Sequence, residues 1–213
     1  MKIVNESFEI LSNISENEIL KFIEFAGRTC YKSEEKITDE SAIAFCKNLI
    51  KRQHYAMLEH AYISVKFIVD RGVSHEIVRH RIASYAQEST RYCNYSKDKF
   101  GNEITVINLK EHFKNPLSFD VWYDACLYAE KAYFKLLELG ESPQIARSIL
   151  PTCTKTEIVC TFNVREWFHF FNLRAIGTTG APHPQMTEIT IPLLKEFAKL
   201  FPVLFEDLKE KIK

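Results

Sequence analysis

The alternation of hydrophobic and polar positions along this 213-residue chain changes period repeatedly, and each change marks a candidate element. Residues 1–10 read as an opening strand. Ser15 stands as an N-cap for a helix running toward Arg28, because Ile19, Leu20 and Ile23 share a face. A second helix is expected over residues 40–52. Ile63, Val65, Phe67 and Val69 then alternate with Tyr62, Ser64, Lys66 and Ile68, the two-residue period of a strand with one buried face. Val73, Ile77 and Val78 predict a short helix whose C-terminal end carries Arg79, His80 and Arg81, where cations suit the helix dipole. Residues 103–109 read as another strand. The clearest helix spans 118–139, with Val121, Ala125, Ala129, Ala132 and Leu136 on one side and Gly140 as its stop.

In the last third, residues 156–163 form a β-branched strand pattern and 165–174 a short helix rich in aromatics. Arg165, His169 and Leu173 fall on one face of that helix, while Arg174 sits about 100° further round. One helix can thereby serve two neighbouring ligands. Residues 177–184 are a loop by composition, and Pro192 predicts a kink or restart in a long terminal helical region. The expected architecture is mixed α/β (α+β), a single domain over 1–213 with an antiparallel-leaning sheet flanked by helices. The strands are too few and too irregularly spaced for a doubly wound sheet.

Composition narrows the function classes. With 46% hydrophobic residues the chain can bury one sizeable core. Lys+Arg and Asp+Glu are both 28, and a net charge of zero argues against a dedicated nucleic-acid binder. The six cysteines form no CxxC pair and read as free thiols in a reducing compartment, the cytoplasm. No apolar run approaches the roughly 18 residues of a membrane span, and the first residues lack the apolar core of a secretory signal. Among only six glycines there is neither GxGxxG nor GxxxxGK[ST], so any flavin or nicotinamide must be held by side chains. The histidine pairs His54/His60 and His75/His80 lack an i, i+4 spacing, and no metal is expected.

The chemistry concentrates in residues 79–92. Arg79, His80, Arg81 and Arg91 stand there with the hydroxyls of Ser84, Ser89 and Thr90, so cationic forks and short hydrogen-bonding groups converge on something anionic and planar. Arg-His-Arg, seven residues, then Ser89 resembles the hallmark of the flavin-dependent thymidylate synthase family. His54 to His60 resembles its His-x-x-x-x-Glu-His element, and Ala146 to Pro151 its Ala-Arg-x-x-Leu-Pro. Asn163-x-Arg165, Asn172-Leu173-Arg174 and His183-x-Gln185 match three more, in the family's order.

The resemblance implies a homotetramer associating through helices, FAD bound at subunit contacts, and conversion of dUMP to dTMP. Its co-substrates would be 5,10-methylenetetrahydrofolate and NADPH. It places Glu76, Arg79, Gln87, Ser89, Arg91, Arg147 and Arg174 around dUMP, with Ser89, Arg79 and Arg174 as the catalytic set. It places His54, Glu59, Arg79, His80, Arg81, Ile82, Asn163, Arg165, His169, Leu173 and His183 around FAD. Ala56, Ala86, Gln87 and His169 depart from residues frequent in the family, which bears on individual flavin and uracil hydrogen bonds. Two other classes stand beside this reading. An RNA-binding module would grip phosphate with Arg79, Arg81 and Arg91 and stack bases on Tyr85, Tyr92 and Tyr95, which zero net charge disfavours. A flavin reductase without methyl transfer would have no use for Ser89, Arg147 and Arg174.

Cys93 lies two residues beyond Arg91 but lacks the Pro-Cys-His context of thymidylate synthases that attack uracil through sulfur. Cys93→Ala is therefore expected to leave dTMP formation largely intact. Ser89→Ala should lower kcat markedly with flavin retained. An assay supplying dUMP, methylenetetrahydrofolate and NADPH separates the two, and a dead but folded, flavin-loaded Cys93→Ala enzyme would contradict the reading.

Overall fold

The first helix shows how local sequence sets the boundaries. In a computed structural model, which describes residues 1–98 and 101–212, Ser15 and Glu18 form a reciprocal capping box at the start of α1 (Glu16–Thr29). Ile19, Leu20 and Ile23 are buried on the expected face, with Glu24 beside them. Burial of Glu24 is offset by Arg28 Nε at 2.7 Å and the Ser41 hydroxyl at 2.8 Å. That hydroxyl opens α2 (Ser41–Lys51), which packs on α1.

The opening stretch is two short strands, β1 (Lys2–Val4) and β2 (Ser7–Ile10), not one. β3 (Tyr62–Asp70) buries Ile63, Val65, Phe67 and Val69 as its period requires. Asp70 caps α3 (Arg71–Ile77) by accepting the Val73 N–H at 2.7 Å. The segment after Arg79 to Arg81 is a strand, β4 (Ala83–Gln87), which hydrophobic periodicity does not announce because Ser84, Ala86 and Gln87 carry little apolar signal. β5 (Thr105–Ile107) is shorter than expected and pairs with β1 in parallel, Ile3 opposite Val106. β6 (Lys155–Asn163) completes a four-stranded sheet of order β2-β3-β6-β4. Val164 N donates to Ala61 O, and Ser64 Oγ meets Thr161 Oγ1 at 2.8 Å, so β3 and β6 run antiparallel.

Contacts divide the chain into two compact units. The first comprises Met1–Ser7, Phe67–Arg79 and Ala86–Val159; the second comprises Phe8–Lys66, His80–Tyr85 and Cys160 onward. In the first unit, α4 (Pro116–Glu138) starts two residues early because Asn115 caps it and Pro116 fits its first turn. Its buried stripe is Cys126, Ala129 and Tyr133, with Trp122 packed alongside. Val121 and Ala125, expected on that side, are exposed; the large aromatics, not the small alanines, select the buried face. Ser142 precedes α5 (Pro143–Ala146), a single turn that leads into the turn Arg147–Ile149.

The second unit is built on aromatics. α6 (Val164–Phe171) is capped by Asn163, whose side chain accepts the Glu166 N–H at 2.8 Å. The expected helix 165–174 ends early: Asn172–Ile176 is a π turn closed by Gly177 at φ 76°. Such a wide turn breaks the 100° step on which the expected positions of Leu173 and Arg174 rested. α7 (Pro184–Leu200) runs through Pro192 without a break. The restart comes at Phe201, where Pro202 bars helical dihedrals and opens α8 (Pro202–Lys209). Trp167 lies at the centre, with Phe162 at 4.5 Å, Phe197 at 4.9 Å and its indole N–H on Ile63 O at 3.0 Å. No helix among the described residues is long and apolar enough to cross a membrane.

Trp167→Ala removes this ring stack and the indole N–H that donates to Ile63 O. Urea unfolding is expected to show a loss of about 3–5 kcal/mol, with the denaturant slope unchanged. A loss under about 1 kcal/mol would contradict a core centred on Trp167.

Candidate functional site

In the second unit the sheet end and α6 bring three polar side chains into one buried line. Asn163 ends β6 and caps α6, which fixes Glu166 at the third helical position. Glu166 Oε1 lies 2.7 Å from His80 Nδ1, and Arg174 Nε donates to His80 Nε2 at 3.3 Å. His80 is 4% exposed, stacked on Phe162 and edge-on to Phe170 and His169. A guanidinium has no acceptor, so Nε2 must carry the lone pair and Nδ1 the proton. The imidazole is therefore neutral and donates to the Glu166 carboxylate.

Burial first, then the nearby Arg174 and His169, pulls the His80 pKa down to about 4. Burial also raises the Glu166 carboxyl, opposed by His169 and Arg165. An exposed ion pair would shift both groups the other way, so desolvation dominates here. His80, Glu166 and His169 offer ligand atoms within 4.8 Å of one another. They do not fit a cation: one His80 nitrogen is protonated toward Glu166 and the other receives an arginine.

Beside this line lies a cavity of about 680 Å³, lined by Tyr55, Ile82, Asn163, Arg165, Glu166 and His169 among others. A second, of about 500 Å³, is lined by Phe45, Arg52, His54, Tyr55, Ala56 and Arg165. Both volumes suit a cofactor-sized ligand. Arg165 and Glu59 are joined as a half-exposed ion pair at the shared edge. Leu173 is half-buried in the π turn. Arg81 and His183 are exposed, and the His183 side chain makes no capping bond to α7.

The first unit gathers most of the expected nucleotide residues. Gln87 donates to Ser74 Oγ at 2.9 Å and to Thr156 Oγ1 at 3.2 Å. Ser89 Oγ accepts the Arg91 N–H at 3.3 Å. Arg91 Nε reaches Gln144 Oε1 at 3.2 Å, and Arg147 donates to Thr90 Oγ1 at 3.1 Å. The segment 87–91 and the turn around α5 are thus tied together by Arg91 and Arg147. Both guanidiniums take neutral partners, and neither is paired with a carboxylate among the described residues. Glu76 lies on α3 and Arg79 follows it exposed, in this same unit; Arg174 belongs to the other.

Glu166 is the residue that sequence reasoning missed. Its signal was legible: an acidic residue three positions after Asn163, flanked by apolar residues that bury it. Tyr55, Asp207 and Lys211, which also line the larger cavity, carry no such signal. Burial pushes the thiols of Cys46 and Cys160 up to about 12, which leaves them poor nucleophiles.

Comparison with known proteins adds the family. The family described as Thymidylate synthase complementing protein matches residues 12–203. The chain is 32% identical to the flavin-dependent thymidylate synthase of Corynebacterium aurimucosum, over 94% of this chain and 83% of that one. It is 30% identical to that of Geobacter sulfurreducens, over 87% and 80%. Among solved structures, the UMP/dUMP methylase PolB from Streptomyces cacaoi, bound with 5-Br dUMP, has the same fold. The TM-score is 0.80 at 19% identity, covering 99% of this chain and 97% of that one.

The depressed His80 pKa has a measurable consequence. Between pH 6.5 and 4 the unfolded chain takes up a proton that folded His80 refuses, so stability present above pH 6.5 is lost on acidification. The raised Glu166 carboxyl acts in the opposite sense and offsets part of this at the acid end. Relative to His80→Gln, the wild type is expected to lose about 2 kcal/mol more between pH 7.5 and 5 in urea unfolding. Equal pH slopes for the two proteins would contradict a neutral buried His80.

Proposed function

The chain belongs to the flavin-dependent thymidylate synthase family, and from that membership we propose that it converts dUMP to dTMP by reductive methylation, with 5,10-methylenetetrahydrofolate, NADPH and bound FAD. The observation that carries this reading is the anchoring of Arg91 and Arg147 by Gln144 and Thr90 beside Ser89. Neutral partners hold the two guanidiniums in place without cancelling their charge, which is what recognition of a nucleotide phosphate requires. The reaction balances as the methylene carbon leaves the two folate nitrogens and joins uracil C5, the C5 proton and one solvent proton go to those nitrogens, and a hydride from NADPH completes the methyl group, leaving tetrahydrofolate and NADP⁺.

Each residue set has a distinct task. Arg91 and Arg147 bind the phosphate, while Gln87, Ser89 and Glu76 orient the pyrimidine. The Ser89 hydroxyl already accepts from Arg91 N, so its proton is free to donate to substrate. Arg79 and Arg174 polarise uracil, favouring charge that develops on its oxygens. The two cavities on the second unit, with their mix of imidazole, guanidinium, amide and apolar walls, fit a flavin dinucleotide. His54, Glu59, Arg79, His80, Arg81, Ile82, Asn163, Arg165, His169, Leu173 and His183 would hold it. Bound FAD supplies hydride transfer from NADPH to the nucleotide. Guanidinium charge from Arg81 and Arg165 would favour the reduced, electron-rich state of a bound flavin.

The whole chain would work as one functional domain, assembling as a homotetramer in a reducing cytoplasm. The exposed stripe Leu117, Val121 and Tyr128 on α4, each about 70% exposed, supports association through helices.

The protein is expected to purify yellow or to take up added FAD, read from its visible absorption. Arg174→Ala should weaken dUMP by roughly 10- to 150-fold with FAD affinity nearly unchanged, because a charge-assisted hydrogen bond contributes about 1.5–3 kcal/mol. Titrating dUMP against the bound flavin's absorbance measures both. Absence of a flavin band after incubation with FAD would overturn the reading.

A further inference from the structure

Resting on the reading that Arg174 serves dUMP, we propose that Glu166 is a positioning residue for the nucleotide: acting through His80, it fixes the plane of the Arg174 guanidinium. Glu166 lies in the wall of the larger cavity, but its carboxylate is engaged by His80. Its carboxylate is 6% exposed and bonded to His80 Nδ1 at 2.7 Å, and its backbone N–H is pinned by Asn163 at 2.8 Å.

The logic is one of tautomers. A neutral imidazole has one N–H and one lone pair, and the partner at either nitrogen decides which is which. With a carboxylate on Nδ1, the proton sits there and Nε2 is an acceptor. Arg174 Nε can then donate to it at 3.3 Å. Without the carboxylate the Nδ1 proton is buried with no acceptor, so the Nδ1–H tautomer rests on the longer Arg174 contact alone; in the competing Nε2–H tautomer the imidazole meets the Arg174 N–H donor to donor and the guanidinium turns away. The ring itself cannot turn, because Phe162, His169 and Phe170 pack around it.

The far end of the chain is equally restrained. Arg174 lies in the π turn Asn172–Ile176, and its carbonyl shares the buried Thr190 hydroxyl with Met186 O, each at 2.7 Å. Backbone and Nε are therefore both held, and the remaining torsional freedom of the side chain is small. A guanidinium held at Nε has its plane set, the geometry needed against a planar pyrimidine or a phosphate. Arg174 lies in the π turn that continues α6, four residues beyond Phe170, which also packs on His80, and π turns recur at functional sites.

The test uses the flavin-loaded protein with ¹⁵N-labelled histidine, the His80 signals being assigned by their loss in His80→Gln. Wild-type His80 is expected to show a protonated Nδ1 and a pyridine-type Nε2 at pH 7. Glu166→Leu should populate the Nε2–H tautomer and, with FAD supplied at saturation, raise the dUMP KM roughly tenfold, the worth of one lost hydrogen bond of about 1.4 kcal/mol. Glu166→Gln keeps the volume and one acceptor oxygen, so it should retain the Nδ1–H tautomer and raise KM less than threefold. Wild-type His80 found as imidazolium or as the Nε2–H tautomer would overturn the proposal. So would a Glu166→Gln enzyme as impaired as Glu166→Leu. If the wild-type protein turns over no dUMP, the functional reading fails, while the tautomer spectrum still decides the relay.

Discussion

A buried carboxylate must find a donor or it destabilises the fold, and Glu166 meets that constraint with His80. The strongly apolar surroundings of α6 give it no alternative: Trp167, Phe168, Phe170 and Phe171 flank it in sequence. Desolvation without a partner costs several kcal/mol, so the residues near Glu166 are arranged around its hydrogen bond. Asn163 sets the helix start, His80 must follow α3 closely enough to arrive, and the π turn must deliver Arg174 to the opposite side of the ring. The second unit's polar centre is thus organised around one largely buried acid.

The first unit solves a different problem. For the phosphate role proposed above, Arg91 and Arg147 have to be ordered without carboxylate partners, which would offset their charge. Thr90 and Gln144 supply neutral acceptors, while Tyr92 adds a ring face 5.3 Å from the Arg91 guanidinium. Carboxylates nearby are occupied elsewhere: Glu88 takes Lys155 at 3.2 Å and the Tyr95 hydroxyl at 3.2 Å. An anion site is prepared by where the acids are spent as much as by where the bases stand.

Much of this was legible in the sequence, and the failures share a cause. Strands β3 and β6 and helices α1 and α2 follow from periodicity because each has one large apolar face. β4 was not legible, since Ser84, Tyr85, Ala86 and Gln87 alternate without strong apolar contrast. The buried side of α4 was misread because alanines fit either side and Trp122 and Tyr133 decide. Pro192 is tolerated inside α7, whereas Pro202 is not, a difference set by what packs around each. The motif residues stand out by type and order, but the acid bonded to His80 does not. Its role depends on an imidazole 86 positions away in the chain. Spacing along a sequence reports faces of single elements, not partners brought together by a fold.

The central claim is that these residues serve flavin-dependent methylation of dUMP. Mass-spectrometric detection of dTMP after incubating the purified protein with dUMP, methylenetetrahydrofolate and NADPH, with and without added FAD on flavin-stripped protein, tests it most directly. The account predicts dTMP from the flavin-loaded protein and none from the stripped one. Equal product from the stripped protein, or none from the loaded one, would contradict it.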